Sequence, residues 1–238
     1  MAGSAAFDEI QDCLGELADP VRAEHSKGFF KTGPGEYGEG DVFLGLKVPD
    51  MRKVARRFHN LTLADVRRLL RSPLHEYRLT ALFILVRQFK KADERGRTRI
   101  YDLYLKNTRY VNNWDLVDSS DHQIVGGYLA DKDFGILLQL VKSSSLWERR
   151  IAIIATYHLI KRDDFTWTIR IAKHLVADDE YLIHKAAGWM LREVGNRDRA
   201  AEERFLAKHY QRMPRTMLRY AIERFPERRR QAYLKGRV

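Results

Sequence analysis

The chain has a single cysteine, Cys13, so it holds no internal disulfide framework and no cysteine zinc cage. It has no run of eighteen apolar residues, and a membrane span is not expected. Its opening, MAGSAAFDEIQD, has neither the basic nor the apolar region of a secretory signal. Six prolines and fifteen glycines are too few for a collagenous or low-complexity chain. Long Val/Ile/Thr alternations are also missing, which argues against strands. The one glycine-rich passage, KTGPGEYGEGDVFLG, places Gly33, Gly35 and Gly38 at a G-x-G-x-x-G spacing. No strand precedes it and no Lys-Ser/Thr pair follows, so it reads as an exposed loop near the ligand. These absences point to a helical protein of a reducing compartment.

Helix formers (Leu, Ala, Arg, Lys, Glu) dominate what is there. The 238 residues are 45% hydrophobic and 32% charged, enough for a sizeable core under a charged surface. Lys plus Arg number 43 against 32 for Asp plus Glu, a net charge of +11. Phosphate neutralisation with counterion release makes nucleic acid the expected partner of such a chain.

Helices are expected at 6–18 and from Pro20 to Phe30. Pro49 suits the first turn of the next, which carries Arg52, Lys53, Arg56 and Arg57. Thr62 and Asp65 make a capping-box-like start for Leu63–Arg71. Further helices follow at about 74–90, 94–107, 114–129, 133–143, 146–161, 165–176, 180–194, 199–211, 214–225 and 227–235. No linker separates two compositions, so residues 1–238 are expected to form one all-α domain.

Three segments, HEYRLTALFILV, LWERRIAIIATYHLI and YLIHKAAGWMLREV, each set a basic residue before an Ala-rich apolar run. Those residues are Arg78, Arg150 and Lys185, spaced 72 and 35 apart, so a period near 36 puts a fourth equivalent at Trp114. Such a period indicates stacked helix pairs, a curved α-solenoid with equivalent positions on its concave face. Trp114, Asp118, Arg150, Lys185 and Trp189 are then expected in one neighbourhood.

Trp114 and Asp118 are four residues apart, on one face of a helix. Arg150 suits a phosphate with its fork of donors, and the two indoles suit a sugar or base face. A carboxylate facing a phosphodiester is repelled, so Asp118 helps only where positive charge develops. An oxocarbenium ion at a deoxyribose C1′ is such a charge. Glycoside hydrolysis usually needs a second carboxyl group to protonate the leaving group. An alkylated purine is already cationic, so one carboxylate suffices. The rival reading takes Asp115, Asp118, Asp121 and His122 as metal ligands of a nuclease. Trp147 and Trp167 are assigned to packing, and His122 and His184 receive no catalytic role.

NNWDLVDSS, LWERRIAI and HKAAGWMLRE resemble signature segments of the AlkD-like alkylpurine DNA glycosylases, and the likeness covers nearly the whole chain. The resemblance implies HEAT-like helical repeats and removal of N3- and N7-alkylated purines from double-stranded DNA. It further implies a monofunctional enzyme working without base flipping and without cofactor or metal. It matches Trp114 and Asp118 to the family's Trp-Asp-x-Val-Asp segment, Asp118 as the catalytic aspartate and Trp114 beside it. Trp189 matches a second sugar-facing tryptophan, and Arg150 a phosphate-side arginine. Lys185, Arg192, Arg215 and Arg219 complete the expected DNA-binding set, with Arg52 and Arg56 as further candidates. Some relatives have Trp-Trp before the first aspartate, where Asn113 precedes Trp114 here. A monomer of bacterial cytoplasmic type is expected, with no membrane partner and nucleoid-associated through DNA. A non-catalytic HEAT-like protein that binds damaged or branched DNA is the alternative, and a protein-binding scaffold comes third.

Overall fold

A computed structural model describes residues 4–238. The fold is all-α; among the described residues the only β pairing is an isolated bridge between Val42 and Leu74. No described helix is long and apolar enough to cross a membrane. The chain divides into two compact units, one ending at Ser120 and the other Asp121–Val238.

The first unit contains α1 (Ala5–Gly15), α2 (Pro20–Phe29), α3 (Val48–Arg57), α4 (Leu63–Leu70), α5 (His75–Lys91), α6 (Glu94–Leu105) and α7 (Trp114–Asp118). Polar side chains start most of them. Ser4, Asp19, Thr62 and Asp93 accept hydrogen bonds from first-turn N–H groups of α1, α2, α4 and α6. The Thr62–Asp65 start is as expected, with one change: the Thr62 hydroxyl itself donates to the Asp65 carboxylate at 2.8 Å. α5 is the core, buried along nearly its whole length from His75 to Val86, and α3, α4, α6 and α7 pack on it.

The second unit contains α8 (Asp121–Leu129), α9 (Gly135–Leu140), α10 (Leu146–Ile154), α11 (Tyr157–Ile160), α12 (Thr166–Leu175), α13 (Tyr181–Arg197), α14 (Arg199–His209), α15 (Arg215–Ala221) and α16 (Glu227–Leu234). α13 has the central place here, packed by α10, α11, α12, α14 and α15. In each unit short helices stack beside one 17-residue helix, the layering of a helical repeat.

Two expected helices are each broken in two, for one physical reason. The segment 114–129 breaks at Ser119-Ser120, where the buried Ser120 hydroxyl donates to the Leu116 carbonyl at 2.6 Å. The segment 146–161 breaks at Ala155-Thr156, where the Thr156 hydroxyl donates to the Ile153 carbonyl at 2.7 Å. A hydroxyl bonded back onto its own helix competes with the backbone ladder and bends or ends it.

The repeat register also needs a one-residue correction. Arg78, Arg149 and His184 are each the fourth residue of their helix and each donates to a carbonyl six residues earlier. The acceptors are Ser72, Ser143 and Asp178, at 3.1, 3.0 and 2.5 Å. Each side chain thus pins the turn that leads into its helix. Arg150 and Lys185 are fifth residues and match each other, but Arg78 matches neither. Spacing could not reveal the shift because positions 149 and 150 are both arginine.

Candidate functional site

In the first unit the site is organised by α7. Its cap is the buried Asn113, whose side-chain oxygen accepts from the Trp114 N–H at 2.8 Å while its amide donates to Asp41 at 3.2 Å. This asparagine therefore ties α7 to the glycine-rich loop. Trp114 opens the helix and Asp118 closes it, so the two share a face, and both are half-buried.

The Trp114 ring is held by an aromatic shelf. It stacks on Phe30 with centroids 5.5 Å apart, and Phe29 meets its edge at 5.9 Å. Phe30 stacks in turn on Phe43 at 5.0 Å, and Phe43 on the His75 imidazole at 4.7 Å. Such offset pairs stabilise by about 0.5–1.5 kcal/mol each beyond simple burial. They set the plane of the indole without enclosing it.

Behind the shelf lies a buried polar network. His75, 2% exposed, bonds Asp41 through Nδ1 at 3.1 Å and Asp115 through Nε2 at 2.9 Å. Both ring nitrogens face carboxylates, so both donate and the ring is an imidazolium. Burial alone would lower its pKa, but the charge and hydrogen bond of Asp115, joined by Asp41, outweigh burial and raise it to about 9. For Asp41, burial pushes upward, yet the His75 bond and the Arg78 charge hold its carboxyl below the usual range. Arg78 completes the pairing by donating to Asp41 at 2.6 Å. One turn of α5 thereby grips the loop, because Glu76 also accepts from the N–H groups of Leu44, Gly45 and Leu46 at 3.0, 2.8 and 3.3 Å. Gly45 adopts a φ of +80°, and a Cβ there would lie 2.2 Å from the Asp19 carbonyl, so only glycine fits. The loop is not wholly exposed, as Asp41, Phe43 and Leu46 are buried.

In the second unit α13 presents Lys185, Trp189 and Arg192 at four- and three-residue spacing, one face of a helix. Gly188 sits beside them. A Cβ at that position would meet the Met217 carbonyl at 2.4 Å and the Tyr220 Cβ at 2.6 Å, so the close approach of α15 requires glycine. That approach sets Arg215 and Arg219 on the neighbouring helix. The Trp189 indole N–H donates to Glu193 at 3.0 Å, and its ring lies 6.1 Å from Tyr157. The Lys185 ammonium lies 4.5 Å from the Tyr181 ring and 5.9 Å from Tyr220. Burial would lower its pKa, but the two tyrosines raise it, so it stays charged.

The expected cations differ in their openness. Arg219 is exposed and has no side-chain partner among the described residues, and Arg215 is exposed with one nitrogen donating to the Leu234 carbonyl at 2.6 Å. Arg192 is held by Glu223 and by Glu193. Arg150 is only 4% exposed and donates to the Leu182 carbonyl at 2.7 Å. Trp167 packs on Phe134 at 5.6 Å, and His122 meets the edge of Tyr157 at 5.4 Å. Asp115, which a metal site would need beside Asp118, faces His75 instead. No group of three or more His, Cys, Asp or Glu able to hold a metal occurs among the described residues. Sequence reasoning missed Asp41, His75 and Glu193. The only local signal for His75 was its place in HEYR, at the start of the most buried helix.

A family model described as DNA alkylation repair enzyme matches residues 10–225. A solved structure, a predicted DNA alkylation repair enzyme from Enterococcus faecalis, has the same fold, with a TM-score of 0.68 at 15% identity. The match covers 89% of this chain and 98% of that one. No curated protein matches the chain.

Proposed function

Because this chain belongs to the DNA alkylation repair enzyme family, we propose that it is a monofunctional DNA glycosylase. It hydrolyses the N-glycosidic bond of cationic N3- and N7-alkylated purines in duplex DNA, without drawing the lesion into a pocket. The observation that carries this reading is the placement of Trp114 and Asp118 on one face of α7, both half-buried, in a chain of net charge +11.

The C1′–N bond breaks with its electron pair going to the purine, which leaves as a neutral base. Positive charge passes to C1′ and O4′ of the sugar. The Asp118 carboxylate stabilises that charge, and more strongly than a fully solvated one could, since water screens it less. A water oxygen then adds to C1′, and its proton passes to Asp118 or to solvent. The product is an abasic site on an uncut strand. Trp114, fixed by Phe30 and Phe29, lies against the lesion's deoxyribose, and Trp189 has the same role on the second unit. Lys185, Arg215 and Arg219 take backbone phosphates. Arg192 must leave Glu223 to do so, and Arg150 has the least room for one.

The family match runs across both units, which supports reading the whole chain as one working domain. The test is incubation of the protein with duplex DNA methylated by dimethyl sulfate. Free 3-methyladenine or 7-methylguanine is the expected product. DNA binding without base release would instead favour a non-catalytic binder.

A further inference from the structure

A recess of about 470 Å³ opens in the first unit between α4 and α6. Four cations line it. Arg67 and Arg71 come from one side, four residues apart at the end of α4; Arg99 and Lys106 come from the other, two turns apart along α6. Asp102 is the one carboxylate among them. Leu63, Ala64 and Leu103 supply an apolar part of the lining. The recess shares no residue with the groups assigned to catalysis or DNA binding above.

Three of the four cations are unpartnered. Arg67, Arg99 and Lys106 are exposed and have no side-chain hydrogen bond or ion pair among the described residues. Arg71 spends one nitrogen on the buried Asn107 at 2.9 Å, which fixes its guanidinium at the edge of the recess. Screening in physiological salt acts over roughly 8 Å, about the width of a cavity of this volume, so the four fields add inside it. Cations in the last turn of a helix also offset its dipole, which accounts for Arg67, Arg71 and Lys106. It does not account for Arg99, in the middle of α6, which closes the ring of charge. An apolar wall beside converging cations suits a ligand with an anionic end and a flat apolar body, and the volume is of the size that holds small molecules.

We propose that this recess binds a nucleoside phosphate, its phosphate among Arg67, Arg71, Arg99 and Lys106 and its base against Leu63, Ala64 and Leu103. Free nucleotides and single-stranded nucleic acid both carry that unit. Arginine reads the phosphate through a positively charged fork of parallel N–H donors, which the neutral glutamine amide lacks.

Isothermal titration calorimetry on the full chain tests this with deoxyadenosine monophosphate, a ten-residue oligothymidylate and inorganic phosphate as separate probes. The Arg67→Gln/Arg99→Gln double variant is compared with Arg95→Gln, which removes charge from an exposed α6 residue outside the recess. Saturable nucleotide binding is expected in the wild type and in Arg95→Gln, weakened at least tenfold in the double variant. Release of methylated bases should be unchanged in all three, so this inference can fail without the proposed activity failing. The oligomer binding at least tenfold tighter than the mononucleotide assigns the site to single strands; comparable affinities assign it to free nucleotides. Equal weakening in Arg95→Gln and the double variant, no saturable binding, or inorganic phosphate binding as tightly as the nucleotide would overturn the proposal.

Discussion

His75 is the residue on which the α7 arrangement leans most. Its imidazolium joins a carboxylate on the glycine-rich loop to one on α7, so its charge and its position are linked. Its pKa of about 9 in the folded chain lies above the ordinary 6.5, so folding takes up a proton there. The resulting stabilisation, on the order of 3 kcal/mol, is complete below pH 6.5 and disappears as pH rises through 9. Chemical denaturation at pH 6.5 and pH 9.5 should therefore show a drop in stability that His75→Gln reduces; an equal drop in the variant would remove His75 as its source. Glu202 gives the same direction of pH dependence from the opposite charge state, since burial favours its neutral form. It is 1% exposed, its Oε1 has no hydrogen-bond partner among the described residues, and burial pushes its pKa up to about 8 despite Arg199 nearby. An acid with a raised folded pKa weakens the fold as pH climbs from its ordinary value toward 8. Glu202→Gln should thus raise Tm by roughly 4–8 °C at pH 8, about 2 kcal/mol, and change it little at pH 4.5. No gain at pH 8 would mean that Glu202 carries no such penalty.

At the scale of elements, local chemistry made the helices readable. Pro20 and Thr62 mark starts that the observed helices reproduce, and most expected spans lie within a few residues of the observed ones. The breaks after Asp118 and Ile154 were hidden because Ser120 and Thr156 act through a bond back onto their own helix, which leaves no mark in apolar periodicity. Trp114 and Asp118 could be paired because four residues is a helical spacing. The His75 bridges could not, since their partners lie 34 and 40 residues away along the chain. The packing of α13 on α15 is the element-level feature open to test. Gly188→Ala inserts a methyl group 2.4 Å from the Met217 carbonyl and should cost about 1–3 kcal/mol in urea denaturation. A change below about 0.5 kcal/mol would show that the two helices can part without penalty.

Over the whole molecule, charge is unevenly distributed along the sequence. Residues 121–198 hold 11 basic and 11 acidic side chains, whereas residues 199–238 hold 12 basic and 4 acidic. The last forty residues, containing α14, α15 and α16, thus carry most of the net +11. If Arg215 and Arg219 take phosphates, Arg215→Gln/Arg219→Gln should flatten the plot of log affinity against log salt by about 0.9 for each phosphate no longer neutralised. An unchanged slope would place the DNA-binding cations elsewhere. Composition pointed to a polyanion partner but not to which cations stand open, because Arg150 and Arg192 look the same as Arg219 until their partners are seen.

In the proposed reaction the Asp118 carboxylate stabilises a sugar cation. Single-turnover release of 7-methylguanine from methylated duplex DNA, with wild type and Asp118→Asn measured beside their DNA affinities, tests it most directly. The expected result is a rate lowered on the order of 10²-fold or more with affinity nearly unchanged. A variant that releases the base at the wild-type rate would remove Asp118 from the chemistry.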